Sequence, residues 1–135
     1  MRREWIAGLV LMLATLSASA DETLDGKWLV TAMERDGKAD ATMLGATREH
    51  VGDKYTVTPK TGKAIGGTIE LDAAAKTKTM NMKPTEGRYK GMTLKCIYKI
   101  DGETLTVCFS EPGKDRPTEF VSKDGTVLVT HKKQK

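Results

Sequence analysis

The stretch GMTLKCIYKIDGETLTVCFSEPGKDRPTEF, residues 91–120, decides the fold. Apolar side chains alternate with polar ones from 94 to 100 and again from 105 to 109. A period of two residues is typical of half-buried β-strands. Between the two runs, the Asp101-Gly102 dipeptide favours a tight turn. We therefore predict an antiparallel hairpin that is followed by a Pro-Gly loop.

A two-residue turn at Asp101-Gly102 determines the predicted pairing across this hairpin. It places Cys96 opposite Val107, so that the large apolar side chains share one face. Cys96 then lies on the apolar face and Cys108 on the other, whereas a disulfide needs Cβ atoms about 4 Å apart. An oxidising compartment favours pairing instead, because the number of cysteines is even. The redox state of the two cysteines therefore stays open.

Similar alternating runs recur along the chain. Besides the hairpin, they predict strands at 26–33, 54–58, 64–71, 77–83, 119–121 and 126–132, with tight turns at Asp36-Gly37 and Asp124-Gly125. Segment 39–51 is compatible with a strand, a helical turn or a loop. About eight short strands must close or stack to protect their edges, and sequential turns favour closure. We predict an all-β fold, a small antiparallel up-and-down β-barrel of about eight strands.

Residues 1–20 have the composition of a cleaved secretory signal peptide. Arg2 and Arg3 precede an apolar stretch over residues 5–16, and residues 18–20, Ala-Ser-Ala, suit cleavage. The apolar stretch is shorter than the roughly 20 residues that span a bilayer, so we expect no membrane anchor after cleavage. We predict a secreted or periplasmic protein whose mature chain, residues 21–135, is a single domain.

Composition and spacing argue against several functions. The formal net charge is +4, and basic and acidic side chains are interspersed without a basic, aromatic-rich stripe, which argues against nucleic-acid binding. His50 and His131 lack metal-ligand spacing, and two histidines cannot complete a zinc site. We expect them on the surface or in turns. Nucleophile elbows, phosphate loops and Cys-x-x-Cys pairs are missing from the sequence. We expect a monomer that is not an enzyme, with no catalytic residue, metal or cofactor.

Four segments carry a family resemblance. They are LDGKW (24–28), ERDGK (34–38), IYKIDGETL (97–105) followed by CF (108–109), and PGKDRPTEF (112–120). In this order they resemble a lipocalin-like domain family that is abundant in planctomycete bacteria, and the likeness covers nearly all of the mature chain. It implies a small, exported, calycin-like β-barrel without an established activity.

The resemblance also implies a role for one tryptophan. Trp28 matches the tryptophan that packs at the closed end of lipocalin barrels beneath a late arginine. Arg116 is the candidate for that arginine. If residues 48–51 form a strand, alternation places the Arg116 loop at the opposite end of the barrel from Trp28. If that segment is irregular, both lie at the same end.

The predicted barrel interior is the candidate binding site. Methionine and tyrosine there suit an adaptable apolar ligand with one polar contact. The side chains expected to face inward are Trp28, Tyr55, Ile69, Met80, Met82, Leu94, Tyr98 and Phe109. Because a barrel of this size can also be filled by its own side chains, a solid core and a ligand cavity are both open.

Two basic residues of the Pro-Gly loop form a second candidate site. Lys114 and Arg116 either bind an anionic ligand or partner, or Arg116 braces the loop through Glu119 or another carboxylate. We expect the protein to bind a small apolar or amphipathic molecule. The alternative is a protein–protein interaction module of the cell envelope with a filled core and no small ligand.

Overall fold

The described part of the chain, residues 23–74 and 76–134, is all-β in this computed structural model. The predicted signal peptide lies outside the described residues. The strands are β1 (Gly26–Arg35), β2 (Lys38–Ala39), β3 (Thr47–Val51), β4 (Lys54–Thr58), β5 (Ile65–Asp72), β6 (Thr79–Pro84), β7 (Leu94–Asp101), β8 (Thr104–Ser110) and β9 (Thr126–Gln134). Over these residues we find no helix long and apolar enough to cross a membrane.

Eight of these strands close into an antiparallel barrel. The order around it is β1-β3-β4-β5-β6-β7-β8-β9, and β9 pairs back onto β1. This seam runs from Lys27 opposite Gln134 to Arg35 opposite Val127. The short β2 pairs only with the end of β1, across the predicted Asp36-Gly37 turn. The prediction of an up-and-down barrel of about eight strands is confirmed.

Trp28 lies at the end of the barrel where β1 begins. Its indole Nε1 donates to the Leu24 carbonyl at 2.9 Å, and Lys133 Nζ lies 4.7 Å from the ring centroid. Lys133 also donates to the Asp25 carbonyl at 2.8 Å, which holds the ammonium over the ring. The cation on Trp28 therefore comes from the last strand. Arg116, the candidate for this role, instead donates to the carbonyls of Met80 and Cys96. Because β3 is a true strand, this agrees with the expectation that such a strand would separate Arg116 from Trp28.

The connection between β8 and β9, residues 111–125, folds over the outer face of the sheet, and we call it the cover segment. Cys108 Sγ donates to the Val121 carbonyl at 3.3 Å, and Lys99 Nζ lies 4.6 Å from the Phe120 ring centroid. The strand predicted at 119–121 is absent. β8 pairs directly with β9, so no sheet edge remains there for a further strand.

The β7–β8 hairpin turns one residue later than predicted. Gly102 and Glu103 form the turn, and Gly102 has a φ of +64°. A glycine with positive φ at the first central position is the hallmark of a type II′ turn. The pairing is therefore shifted by two residues, with Cys96 opposite Phe109. A shift of two keeps every side chain on its face, so Cys96 still points inward and Cys108 outward.

Both cysteines are free thiols, and we expect them to be unreactive in the folded protein. Each is 0% exposed. Burial raises the pKa of Cys96 to about 12 and also raises the pKa of Cys108, whereas the reactive species is the thiolate. A chromogenic disulfide reagent should therefore titrate neither thiol in native protein and both in urea. If urea without reductant exposes no thiol, the two are bridged. Rapid reaction of the native protein would contradict their burial.

Candidate functional site

A cavity of about 290 Å³ lies inside the barrel. It reaches the end opposite Trp28, where Arg35, Thr42, Arg88 and Tyr89 belong to its lining. Most of its wall is apolar and consists of Val30, Met33, Met43, Val57, Ile65, Met82, Leu94, Phe109 and Val129. The core is therefore not completely filled by the protein's own side chains.

The residues predicted to face inward meet in one cluster. Seven of the eight are buried in it, and Phe109 packs against it half-buried. Tyr55, Met82, Leu94 and Phe109 line the cavity. The remaining four, Trp28, Ile69, Met80 and Tyr98, belong to the same cluster but are not part of the cavity wall. Ligand contact by these residues stays a prediction.

The cavity also contains an arginine that sequence reasoning missed. Arg48 on β3 lines the cavity and is only 5% exposed. Its Nε donates to His50 Nε2 at 2.7 Å, and its Nη2 lies 3.1 Å from Met82 Sδ. The guanidinium carbon lies 5.8 Å from the centroid of the Tyr55 ring. Within residues 23–74 and 76–134, no carboxylate forms an ion pair with Arg48.

Both histidines are buried inside the barrel, so the prediction that they lie on the surface or in turns was wrong. His50 is 0% exposed and His131 is 1% exposed. His131 Nδ1 lies 3.1 Å from the Leu105 carbonyl and so carries the proton. His50 accepts from Arg48 at Nε2, which places its proton on Nδ1, and that atom has no partner. Burial, reinforced by the charge of Arg48, lowers the pKa of each histidine to about 3.

The other ionisable side chains around Arg48 are neutral at pH 7 as well. Burial raises the pKa of Tyr55 to about 12 and that of Cys96 to about 12. Burial lowers the pKa of Arg48 itself, yet a guanidinium keeps its proton in proteins. Arg48 is therefore the one charged group in the set that also includes His50, His131, Tyr55 and Cys96, and none of these four supplies a counter-charge.

A signal for the inward arginine was present in the sequence. The Gly52-Asp53 turn pairs His50 with Tyr55 across β3 and β4. Cross-strand partners share a face, and so do residues two apart on a strand. An inward Tyr55 therefore implies an inward His50 and an inward Arg48. The polarity of the run Thr47–Val51 concealed this, because polar side chains ordinarily face solvent.

Arg116 braces the cover segment against the barrel. Its Nη1 donates to the carbonyls of Cys96 at 2.9 Å and Met80 at 3.2 Å, and its Nη2 donates to Asn81 Oδ1 at 2.7 Å. The acceptors are carbonyl and amide oxygens rather than Glu119 or another carboxylate. Neither Arg116 nor Lys114 lines the cavity. Binding of an anion or a partner by this loop stays a prediction.

Comparisons with protein-family models, curated proteins and solved structures found no match. The resemblance to the planctomycete lipocalin-like family therefore stays a prediction, whereas the barrel itself is observed. Over the described ranges, no group of three or more His, Cys, Asp or Glu side chains is arranged to hold a metal ion. The cavity and its buried arginine are the features from which a function can be inferred.

Proposed function

We propose that this protein is an exported, non-enzymatic lipocalin-like barrel that binds one small apolar or amphipathic molecule in its interior. The observation that supports this function is the cavity of about 290 Å³, whose wall is apolar except for a few polar groups. Protein cavities that bind small molecules share this composition, in which apolar side chains supply affinity and a few polar groups supply orientation.

The cavity volume limits the size of the ligand. A water molecule occupies about 30 Å³ in the liquid, so the cavity has room for roughly ten groups of that size. An eight-carbon chain with a small polar head has about this number of non-hydrogen atoms. A longer chain would have to project past Arg35 and Arg88, where the lining reaches the barrel end.

Affinity for uncharged primary alcohols is expected to rise with chain length until the cavity is full. Burying one methylene contributes about 0.8 kcal/mol, which corresponds to about fourfold tighter binding per carbon. We expect this increase from butanol to about octanol and a plateau beyond it, measured by isothermal titration calorimetry. If no alcohol of the series binds, the proposed function is wrong.

A paired substitution on β9 tests whether the alcohols enter the cavity. Val129 lines the cavity, whereas its neighbour Leu128 lies on the opposite face of the strand. Val129→Phe should fill part of the space and weaken octanol binding at least tenfold, and Leu128→Phe should leave it unchanged. Equal affinities in the two variants would place the alcohol outside the barrel.

Native mass spectrometry of protein purified from its own cell envelope distinguishes the proposal from an interaction module. A stoichiometric small-molecule adduct supports ligand binding. A co-purifying polypeptide without an adduct supports the envelope interaction module instead. The same preparation tests export, since removal of residues 1–20 would shorten the chain to begin at Asp21.

A further inference from the structure

We infer that the cavity selects an amphipathic molecule with a single carboxylate head, which binds to the guanidinium of Arg48, while its apolar tail points toward the barrel end opposite Trp28. This inference rests on the proposed function, because it specifies the chemistry of the ligand for the same cavity.

Arg48 has no counter-charge in contact with it among the described residues. A buried charge without an opposite charge is costly, and buried arginines are ordinarily paired with carboxylates. Arg48 is 5% exposed, and its neighbours His50, His131 and Tyr55 are neutral at neutral pH. Within the described ranges no carboxylate forms an ion pair with Arg48, and the one carboxylate of the cavity lining, Glu86, accepts instead from the Gly66 backbone N–H at 3.1 Å. A bound anion would supply the balancing negative charge.

Two of the three guanidinium nitrogens of Arg48 have no strong acceptor among the described residues. Its Nε is held by His50 Nε2 at 2.7 Å, which positions the guanidinium plane. Its Nη2 has only the thioethers of Met82 at 3.1 Å and Met80 at 3.9 Å as acceptors, and a thioether is a weak acceptor. Its Nη1 donates to no described residue. The two terminal nitrogens can therefore bind both oxygens of a carboxylate, the geometry that arginine favours.

The cavity combines the buried guanidinium of Arg48 with a mostly apolar wall. The wall around Arg48 includes Met82, Leu94 and Val129, which would contact a hydrocarbon tail but cannot solvate an inorganic ion. The remaining cations of the lining, Arg35 and Arg88, belong to the end opposite Trp28, and Arg35 is already paired with Asp40 at 3.3 Å. One buried guanidinium balances one negative charge, which favours a carboxylate over a phosphate dianion.

His50 acts as a positioning residue in this arrangement. It accepts a hydrogen bond from Arg48 and remains neutral, so it orients the guanidinium without adding charge. Tyr55 lines the same cavity, and its hydroxyl can donate to a carboxylate without adding charge at pH 7. His131 also lines the cavity, but its proton is on Nδ1 beside the Leu105 carbonyl, so its free Nε2 only accepts and does not bind a carboxylate.

Octanoate and octanamide form the decisive probe pair, because they have the same size and chain and differ in charge. In wild-type protein at pH 7, calorimetry should show octanoate binding at least 30-fold tighter than octanamide. If the two bind equally well, the carboxylate inference is wrong while the proposed function stands. If neither binds, and octanol does not bind either, both are wrong.

Arg48→Met tests whether Arg48 is the source of the selectivity. Replacing a buried charged residue with an apolar one of similar length is often neutral or stabilising, so we expect a folded variant. In it, octanoate should lose its advantage over octanamide, and octanamide affinity should stay within about threefold of wild type. A preference for octanoate that survives Arg48→Met would overturn the assignment to Arg48.

A measurement on the wild-type protein alone keeps the inference testable if that variant does not fold. The carbon-13 resonance of carboxyl-labelled octanoate reports its ionisation state. Bound beside Arg48, its pKa should fall below the value of the free acid, because an opposite charge favours the ionised form. A bound pKa at or above that of free octanoate would overturn the inference.

Discussion

Replacing Gly67 with alanine is expected to lower the free energy of unfolding by about 3 kcal/mol. A Cβ atom at this position of β5 would lie 2.4 Å from the carbonyl oxygen of Lys83 and 2.8 Å from the Cα of Pro84, both on the neighbouring strand β6. It would also lie 2.8 Å from Cε1 of the Tyr55 ring. Backbone atoms of a paired strand cannot move aside without breaking the ladder, so the substitution distorts the barrel where β4, β5 and β6 meet.

Gly66 provides the matched control. A Cβ atom there would meet Glu86 Oε2 at 3.4 Å and the Tyr55 carbonyl at 3.5 Å, which are ordinary contacts. We expect Gly66→Ala to stay within about 1 kcal/mol of wild type, since it introduces no clash. Urea unfolding followed by circular dichroism measures both variants. Equal stability of the two would show that the close approach at Gly67 is not a constraint.

Lowering the pH from 6.5 to 5 is expected to destabilise the protein by about 3 kcal/mol, about 1.6 for each histidine. Burial and Arg48 hold the pKa values of His50 and His131 near 3, whereas an unfolded histidine titrates near 6.5. Between these values the unfolded chain binds more protons than the folded protein. Stability is therefore full above pH 6.5 and is lost as the pH falls towards 3. Urea midpoints at a series of pH values measure the loss.

The double variant His50→Gln/His131→Gln is the control for this slope. Glutamine can still accept from Arg48 and donate to the Leu105 carbonyl, but it does not titrate. The two carboxyl groups whose pKa values lie below their ordinary range, Asp40 and Glu70, ionise below this window and do not contribute to it. We expect the variant to have nearly constant stability between pH 6.5 and 5. A slope that persists in it would assign the acid sensitivity to other groups.

Local signals in the sequence predicted most of the barrel because turn chemistry and alternation act over a few residues. Asp36 and Gly37 both have positive φ, and the tight turn predicted at these two residues joins β1 to the short β2. The turn of the β7–β8 hairpin lies one residue later than predicted, because glycine can take either central position of a two-residue turn. The side chains keep their predicted faces, since the pairing is shifted by two residues. Residues 119–121 alternate like a strand but pack as a cover on the outer face, which only the closed barrel reveals.

The candidate site was less predictable because its polar residues depend on the whole barrel. The sequence predicted that Tyr55, Met82 and Leu94 face inward, because in a strand with alternating side chains the apolar ones share the buried face. Arg48 and His50 were not predicted to face inward, because a polar run such as Thr47–Val51 looks solvent-exposed until its pairing with Tyr55 is known. Burial of a lone arginine also opposes the ordinary rule that charges face water. The pairing of β3 with β4 buries Arg48 and His50 although both side chains are polar.

The seam between β1 and β9 has a consequence for how the chain folds. Lys27 pairs with Gln134, so the barrel can close only after residues more than a hundred positions apart have met. Contacts of such high sequence separation slow folding, since the entropy of loop closure is lost before the pairing is gained. Until β9 docks, β1 and β8 each present an unpaired edge to other chains. The last strand therefore protects both edges in one step, and newly made protein is most prone to aggregate before that step.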